Sequence, residues 1–247
     1  MAASAITVKR LVVPKAPDVL AEHLRETILR GELAEGSPLP TERELGERSG
    51  LSRASVREAL RILESEGLIQ TRPGRNGGAS VKQPTAQSIA RSVGLYVRGQ
   101  RIRLRSLLET REVIEPAMAR LAAANRTDDD LAHLAAAQAR LKASMKDRIA
   151  YLEANVDWHM AVAHASHNEP LIGFMTAISE VIHSATAIEP FDTDEIRHQT
   201  IAAHARIQAA IVAGDAGAAE RRMARHVRAY GDRARGAVPG ETELTGG

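Results

Sequence analysis

The sequence predicts a mainly α protein that joins an N-terminal winged helix-turn-helix domain to an all-α C-terminal bundle of about seven helices. Three observations support this fold class. Residues 39–69 contain a helix-capping signal, a short turn and a second, amphipathic helix. Two short strand-like segments around a glycine-rich tip follow over residues 68–82. From Ala86 onwards apolar residues recur with the period of a helix, and no segment alternates like a strand.

The helix-turn-helix begins with a capping box. Thr41 and Glu44 have the S/T-x-x-E spacing in which each side chain bonds a free backbone N–H at the start of a helix. Gly50 is expected to end this helix, because glycine adopts a positive φ at little cost, and Ser52 is expected to cap the next one. An amphipathic helix over Asp18–Arg30 precedes them, so the domain is predicted to contain three helices.

The second helix of the motif separates an apolar face from an arginine face. Its apolar residues follow the i, i+3, i+4, i+7 rule and are expected to be buried; they are Val56, Ala59, Leu60 and Leu63. Arg53, Arg57 and Arg61 lie on the opposite, exposed face. In a helix-turn-helix, such a face is expected to contact DNA. The alternative is that these arginines only pair with neighbouring glutamates, as most surface charges do. For Arg61 we prefer that alternative.

The wing and the end of the first domain are marked by glycine and proline. Residues 68–72 and 79–82 have strand character and flank the turn PGRNGG. Pro84 then interrupts the pattern because proline has no amide donor and disfavours helix in the residue before it. We therefore predict a DNA-binding-type winged domain over residues 1–84 and an all-α domain over residues 85–236.

The C-terminal domain is predicted to consist of helices alone. They are expected near residues 86–98, 103–124, 128–146, 148–167, 169–187, 193–213 and 215–234. The remaining residues, 237–247, are polar and glycine-rich and are expected to form a disordered tail.

Composition excludes several classes of protein. The net charge is +2, so the chain does not attract phosphate by bulk charge, although residues 1–82 carry 13 basic and 11 acidic side chains against 20 of each in the remainder. The absence of cysteine excludes disulfides and thiolate metal sites. No apolar run is long enough to span a bilayer and no secretory signal is evident, so we expect a cytoplasmic protein with no membrane partner.

The N-terminal segment resembles the GntR family of transcription regulators. The pattern G-x-L…LP-T-E-R-E-L…G-L-S-R-x-S-V-R-E-A-L…L-E-x-E-G-L-I runs through residues 31–69. The resemblance implies a homodimer that places two recognition helices in the major groove of a double-stranded, pseudo-palindromic DNA operator.

The resemblance also assigns DNA contacts residue by residue. Arg53 and Arg57 are the expected base readers, because arginine can donate two hydrogen bonds to guanine O6 and N7. The other expected DNA contacts are Arg43 in the preceding helix, the hydroxyls of Ser52 and Ser55, and the backbone of Gly74 at the wing tip. Ala54 stands where relatives often carry another residue and offers only apolar contact.

Residues 86–235 resemble the effector-binding C-terminal domain, called FCD, of FadR-type GntR regulators. The matching text is N-x-x-x-W-H, then H-A-R-I-Q-A-A-I-V-A-G-D, then M-A-R-H. In many such domains an aspartate and three histidines bind a divalent metal ion. The corresponding residues here are Asn155, His159, His204 and His226, and the metal, with zinc as one candidate, is expected to bind more weakly because an amide replaces the carboxylate.

Arg111 corresponds to a family arginine that can face the effector cavity. Its guanidinium is suited to clamp the carboxylate of a small organic acid effector. An ordinary i, i+4 ion pair with Glu115 explains it equally well. For the other histidines, His23, His133, His164, His167, His183 and His198, we expect ordinary core or surface roles.

Three classes of function are compatible with these residues. We prefer a ligand-responsive transcription regulator, a repressor controlled by a small carboxylate that binds with or without metal. A metal-dependent, hydrolase-like enzyme that uses the three histidines is the alternative, although no general base is evident beside them, so the chain is not expected to be an enzyme. An architectural DNA-binding protein would need no histidine-lined cavity.

Overall fold

The computed structural model describes residues 13–72, 78–186 and 193–237. Backbone contacts divide the chain into two compact units, Met1–Pro84 and Thr85–Gly247. The described residues form ten helices and one two-stranded sheet, so the predicted mainly α fold class is confirmed. No helix within these ranges is both long and apolar enough to cross a membrane.

The N-terminal unit has three helices followed by a hairpin. The elements are α1 (Ala16–Leu29), α2 (Glu42–Ser49), α3 (Arg53–Ser65), β1 (Ile69–Arg72) and β2 (Gly78–Val81). The strands are antiparallel, with Ile69 opposite Val81 and Arg72 opposite Gly78. The hairpin is the wing that the sequence predicts after α3.

Local hydrogen bonds set the ends of α2 and α3. The Thr41 N–H donates to Glu44 Oε2 at 2.8 Å, and the Glu44 N–H donates to Thr41 Oγ1 at 3.3 Å, so the predicted capping box is present. Gly50 has φ 71° and ends α2. Ser52 then accepts the N–H of Ser55 at 3.2 Å and caps α3.

The core of this unit lies between α1, α2, α3 and the hairpin. Val56, Ala59 and Leu63 on α3 have no exposed surface. They pack in one cluster with apolar residues of α1 and with Ile69 and Val81 of the hairpin. Because burial of a valine or leucine side chain contributes about 1.5–3 kcal/mol, this face holds α3 in place and leaves its arginine face in solvent.

The C-terminal unit contains seven helices within its described residues. They are α4 (Ala86–Gly99), α5 (Leu104–Asn125), α6 (Asp128–Ala143), α7 (Arg148–Ala165), α8 (Glu169–Thr186), α9 (Asp194–Ala213) and α10 (Ala216–Ala237). Its largest core cluster draws on α5, α6, α7, α9 and α10. Helix α10 extends through Ala237, and the rest of the predicted tail, residues 238–247, lies outside the described ranges.

A tight turn brings α9 and α10 side by side. Gly214 has φ 72° and ends α9, and the Asp215 carboxylate accepts the Ala218 N–H at 2.9 Å at the start of α10. His204 and His226 lie at similar distances on either side of this turn. The hairpin of helices therefore places these two side chains at the same level of the bundle.

Candidate functional site

The predicted base-reading arginines lie on the exposed face of α3. Arg53 is exposed at the start of the helix. Arg57 has 63% of its side chain exposed, and its Nε lies 2.8 Å from Glu42 Oε2 on α2. Arg43 is likewise exposed and contacts Glu47 at 2.7 Å. The arginine–glutamate pairing considered from the sequence is therefore present. Both pairs are exposed, so an anionic ligand such as a phosphate can reach the arginines and replace the glutamate.

The two serines predicted to contact DNA lie at the start of α3, where Ser52 is exposed and Ser55 is half-buried. The hydroxyl oxygens of Ser52 and Ser55 are 3.0 Å apart, and Ser52 is used as the cap of α3. Arg61 Nη1 lies 3.9 Å from Glu58 Oε2, in agreement with the surface role preferred for it. Gly74 lies outside the described residues.

Three helices deliver one histidine each to a single point in the C-terminal unit. His159 comes from α7, His204 from α9 and His226 from α10. The Nε2 atom of His226 lies 3.0 Å from that of His204 and 3.4 Å from that of His159. Among the described residues, this is the one group that brings three metal-binding side chains together, with all ligand atoms within 4.8 Å.

Glu115 on α5 connects the histidine cluster to Arg111. Its Oε2 lies 2.6 Å from His159 Nδ1, and its Oε1 accepts a hydrogen bond from Arg111 Nε. Glu115 is 1% exposed and Arg111 is 7% exposed. Such a carboxylate on the outer nitrogen of a histidine orients the ring and directs Nε2 towards a ligand.

Arg111 forms the ion pair considered from the sequence and also lies beside the histidine cluster. Its ion pair with Glu115 is present and buried, which the i, i+4 spacing predicts. Its Nη2 also lies 3.4 Å from His159 Nε2, and its guanidinium carbon lies 5.4 Å from the ring centre of Tyr230. The guanidinium therefore borders the cluster, while its contact with an effector remains a prediction.

Trp158 is part of the site, although the sequence analysis assigns it no role. Its ring stacks on that of His204 at a centroid distance of 3.7 Å and an angle of 10°. It also meets the edge of His159 at 5.2 Å. It is the only tryptophan in the chain. Its place beside His159 in the motif N-x-x-x-W-H was the available signal.

One unpartnered buried atom near the cluster supports a bound ligand. The Oδ1 of Asn155, one turn before His159 on α7, is buried and has no hydrogen-bond partner among the described residues. A buried polar atom without a partner costs roughly 1–3 kcal/mol. Nitrogen and oxygen donors of this kind suit a divalent ion such as zinc. Asp157, two residues before His159, instead contacts Arg140 at 3.3 Å and is exposed.

The ionisation of the site also favours a bound cation. Burial, together with the neighbouring His159, lowers the pKa of His226 to about 3. Burial and the neighbouring histidines place the pKa of His204 well below its ordinary value. Burial acts to raise the pKa of Glu115, but Arg111 and His159 outweigh it and hold that pKa well below its usual range. The cluster thus contains neutral imidazoles, the form that binds metal, beside a carboxylate.

Comparison with known proteins covers both units. A family model for the FCD domain matches residues 106–229, and one for bacterial regulatory proteins of the gntR family matches residues 18–77. A solved structure of a GntR protein from Streptococcus agalactiae superposes with a TM-score of 0.65 at 23% identity, over 87% of this chain and 99% of that one. This likeness supports the fold.

Similar curated proteins are regulators as well. The Glc operon transcriptional activator of Escherichia coli (strain K12) is 28% identical over 219 residues, which cover 85% of each chain. The Galactonate operon transcriptional repressor of the same strain is 32% identical over 201 residues, or 80% of this chain and 87% of the relative. The HTH-type transcriptional regulator LutR of Bacillus subtilis (strain 168) is 30% identical over 204 residues, or 81% and 92%. The family and these relatives are transcription regulators, which confirms the expectation of a regulator rather than an enzyme.

Proposed function

The chain belongs to the GntR family of bacterial regulatory proteins and carries an FCD domain, so it is a transcription regulator. We propose that it is a homodimeric repressor of a pseudo-palindromic DNA operator. A small carboxylate effector releases it from this operator. One observation carries this proposal. The same chain presents an exposed arginine face on α3 and encloses a histidine cluster bordered by Arg111 in the FCD domain.

On the DNA side, we assign base reading to Arg53 and Arg57. Operator binding requires Arg57 to leave Glu42. An exposed ion pair contributes about 0–1 kcal/mol, whereas a bidentate arginine–guanine contact contributes about 1–3 kcal/mol. The exchange therefore favours DNA. Arg43, Ser52, Ser55 and the wing residue Gly74 are assigned to the sugar-phosphate backbone, which positions the helix without reading sequence.

On the effector side, the three histidines and Asn155 would hold a divalent metal ion such as zinc, which supplies a fixed positive charge for a carboxylate. Glu115 orients His159 through Nδ1 and holds Arg111 beside the same ring. The guanidinium of Arg111 is thereby fixed with its fork next to the cluster and suits a carboxylate oxygen. Asn155 is neutral, so it leaves more of the positive charge of the site available to the effector.

The proposed class of effector agrees with the name of one relative. That relative represses a galactonate operon, and galactonate is a sugar acid. Another is an activator, so relatives of this chain regulate in both directions. Release of DNA requires the effector to bind one arrangement of the two recognition helices more tightly than the other.

The proposal is tested with the full-length protein and a DNA fragment that the protein itself selects from a random pool. Light scattering of the complex gives the number of chains per operator. Fluorescence anisotropy then measures operator affinity in the presence of sugar acids, hydroxy acids and dicarboxylates, with the corresponding amides as controls. We expect two chains per operator and weaker DNA binding with one class of acid only. If an acid binds by calorimetry while operator affinity stays the same, the proposed coupling is wrong.

A further inference from the structure

A groove between α9 and α10 leads from solvent to the histidine cluster. Its volume is about 410 Å³, the size of a small metabolite rather than a macromolecule. His226 belongs both to the wall of this groove and to the cluster, and it is half-buried. The groove is therefore an entrance to the site.

Arginines supply the charge of this groove. Arg222, Arg225 and Arg233 share one stripe of α10 with His226, and Arg206 faces them from α9. No acidic side chain is among the described residues that line it. Four cationic side chains around one concave surface raise the local concentration of anions.

Neutral partners hold two of these arginines in place. Arg222 Nη1 donates to the Arg206 carbonyl oxygen at 2.5 Å, and Arg233 Nε donates to the Ala229 carbonyl oxygen at 3.0 Å. Arg233 Nη1 also lies 3.5 Å from the amide oxygen of Gln199. These acceptors orient the guanidinium groups without cancelling their charge, so the groove keeps a net positive charge.

Small residues keep the groove open. Ala203 on α9 and Ala229 on α10 lie among the arginines on its wall. Longer side chains at these two positions would occupy the space in front of His226. The groove therefore combines room for a ligand, arginines to bind an anion and direct access to the cluster.

The geometry points to a second anion subsite formed by Arg222 and Arg225, so that the effector carries two negatively charged groups. This inference rests on the proposed function, because it places one group at the histidine cluster and Arg111. The second group is a carboxylate or a phosphate, since the planar guanidinium fork binds either in the same way. The natural effector is thus a dicarboxylate or a phosphorylated acid rather than a simple monocarboxylate.

Calorimetric titration of the full-length, zinc-supplemented protein tests this inference. One arm compares succinate with succinamate, which has the same length and one charge fewer. The other arm compares 3-phosphoglycerate with glycerate. In at least one arm the ligand with two anionic groups is expected to bind about fivefold more tightly, because one exposed ion pair contributes up to about 1 kcal/mol, which corresponds to roughly fivefold in affinity. The arm with the larger ratio identifies the second group as carboxylate or phosphate.

Matched variants attribute the preference to the groove. Arg222→Ala/Arg225→Ala is expected to remove it, whereas Arg222→Lys/Arg225→Lys keeps the charge and most of the preference. The control is Arg221→Ala/Arg228→Ala, which removes two exposed charges of α10 that do not line the groove. Thermal melting by circular dichroism checks that all variants fold.

Two results would overturn the inference. One is equal binding of both members in both arms, including no binding by any of them. The other is loss of the preference in the control variant to the same extent as in Arg222→Ala/Arg225→Ala, since the effect then reflects overall charge. Neither measurement involves DNA. Failure of the second-subsite inference can therefore be distinguished from failure of the proposed coupling between effector and operator.

Discussion

Arg57 illustrates how one side chain serves the free protein and, in our proposal, its DNA complex. In the free protein it bonds Glu42 and links α2 to α3 across the helix-turn-helix. The pair is largely exposed, so its contribution to stability is small and is screened by salt. The same exposure makes the Arg57 guanidinium available to a DNA base.

Replacement of Arg57 by alanine is expected to weaken operator binding by about 1–3 kcal/mol and to relax the preference at one base position of each half-site. The measurement is a titration of the selected operator and of its single-base variants. Arg61→Ala is the control, because Arg61 lies further along α3 beside Glu58. An equal loss on every sequence would reassign Arg57 to a phosphate contact.

The contact of Glu115 with His159 on another helix cannot be predicted from the position of Glu115 in the sequence. It is almost fully buried between a guanidinium and an imidazole that lie on different helices. A carboxylate in this place sets both the orientation and the basicity of the histidine that it contacts.

Replacement of Glu115 by glutamine is expected to lower zinc affinity about 10- to 100-fold, because the outer partner of His159 loses its charge. Trp158 provides the readout: it stacks on His204 and is the only tryptophan, so its fluorescence reports zinc binding in the cluster. Glu109→Gln, an exposed position on the same helix, is the control. Unchanged zinc affinity in Glu115→Gln would exclude the positioning role.

At the scale of elements, short polar side chains cap the ends of helices. Thr127 and Asp130 form a capping box at the start of α6 that repeats the one at Thr41 and Glu44. The Asp130 carboxylate accepts the Thr127 N–H at 2.8 Å and also lies 2.7 Å from His167 Nε2 at the end of α7. This carboxylate therefore joins the start of one helix to the end of the next.

The stabilisation by Asp130 is expected to depend on pH. Burial acts to raise the pKa of Asp130, but hydrogen bonds from Thr127 and His167 outweigh it and lower that pKa to about 2. A carboxylate with a lowered pKa in the folded state stabilises fully above its unfolded pKa, about 3.9, and loses that effect as the pH falls towards 2. We expect Asp130→Asn to lower the free energy of unfolding by about 1 kcal/mol at pH 6.

Urea unfolding at pH 6 and at pH 3 measures this effect. The difference in the free energy of unfolding between wild type and Asp130→Asn should shrink at pH 3, because this pH lies below the unfolded pKa and protonation of the unfolded chain removes part of the stabilisation. Asp129→Asn removes a charge from the same exposed first turn without that hydrogen-bond pattern and should show a smaller difference. A difference independent of pH would argue against an ionised cap.

The extents of the helices follow closely from local patterns. The expected helix over residues 193–213 is observed as Asp194–Ala213, because Thr193 caps its start and Gly214 ends it. The expected helix over 128–146 ends earlier, at Ala143, and the Ser144 hydroxyl donates to the Arg140 carbonyl oxygen at 2.9 Å while the Asp147 N–H bonds the Ser144 carbonyl oxygen three residues back. Caps and glycines are local signals, whereas an early helix end depends on competing bonds that periodicity does not reveal.

At the scale of the whole molecule, the histidine cluster joins three helices of the C-terminal unit. His159, His204 and His226 come from α7, α9 and α10, and Glu115 adds α5. A ligand that binds all of them and not the unfolded chain must stabilise the unit by mass action.

Zinc at a hundred times its dissociation constant is expected to stabilise the unit by about 2.7 kcal/mol, which raises its melting temperature by about 5 °C or more relative to EDTA-treated protein. Differential scanning calorimetry measures the shift. His226→Ala should abolish it, and His198→Ala, an exposed residue of α9, should leave it intact. Persistence of the shift in His226→Ala would remove this residue from the metal site.

Periodicity, caps and motif spacing were sufficient to predict the fold class, the helix-turn-helix and the wing, and the resemblance to FCD domains indicated the three histidines of the cluster. These features depend on residues a few positions apart or on a long family pattern, so the sequence alone is enough to predict them. The Glu115–His159 contact, the stack of Trp158 on His204 and the arginine groove are different. They join residues from separate helices, and only the packing of the bundle sets which helix faces meet and which buried atoms remain without partners.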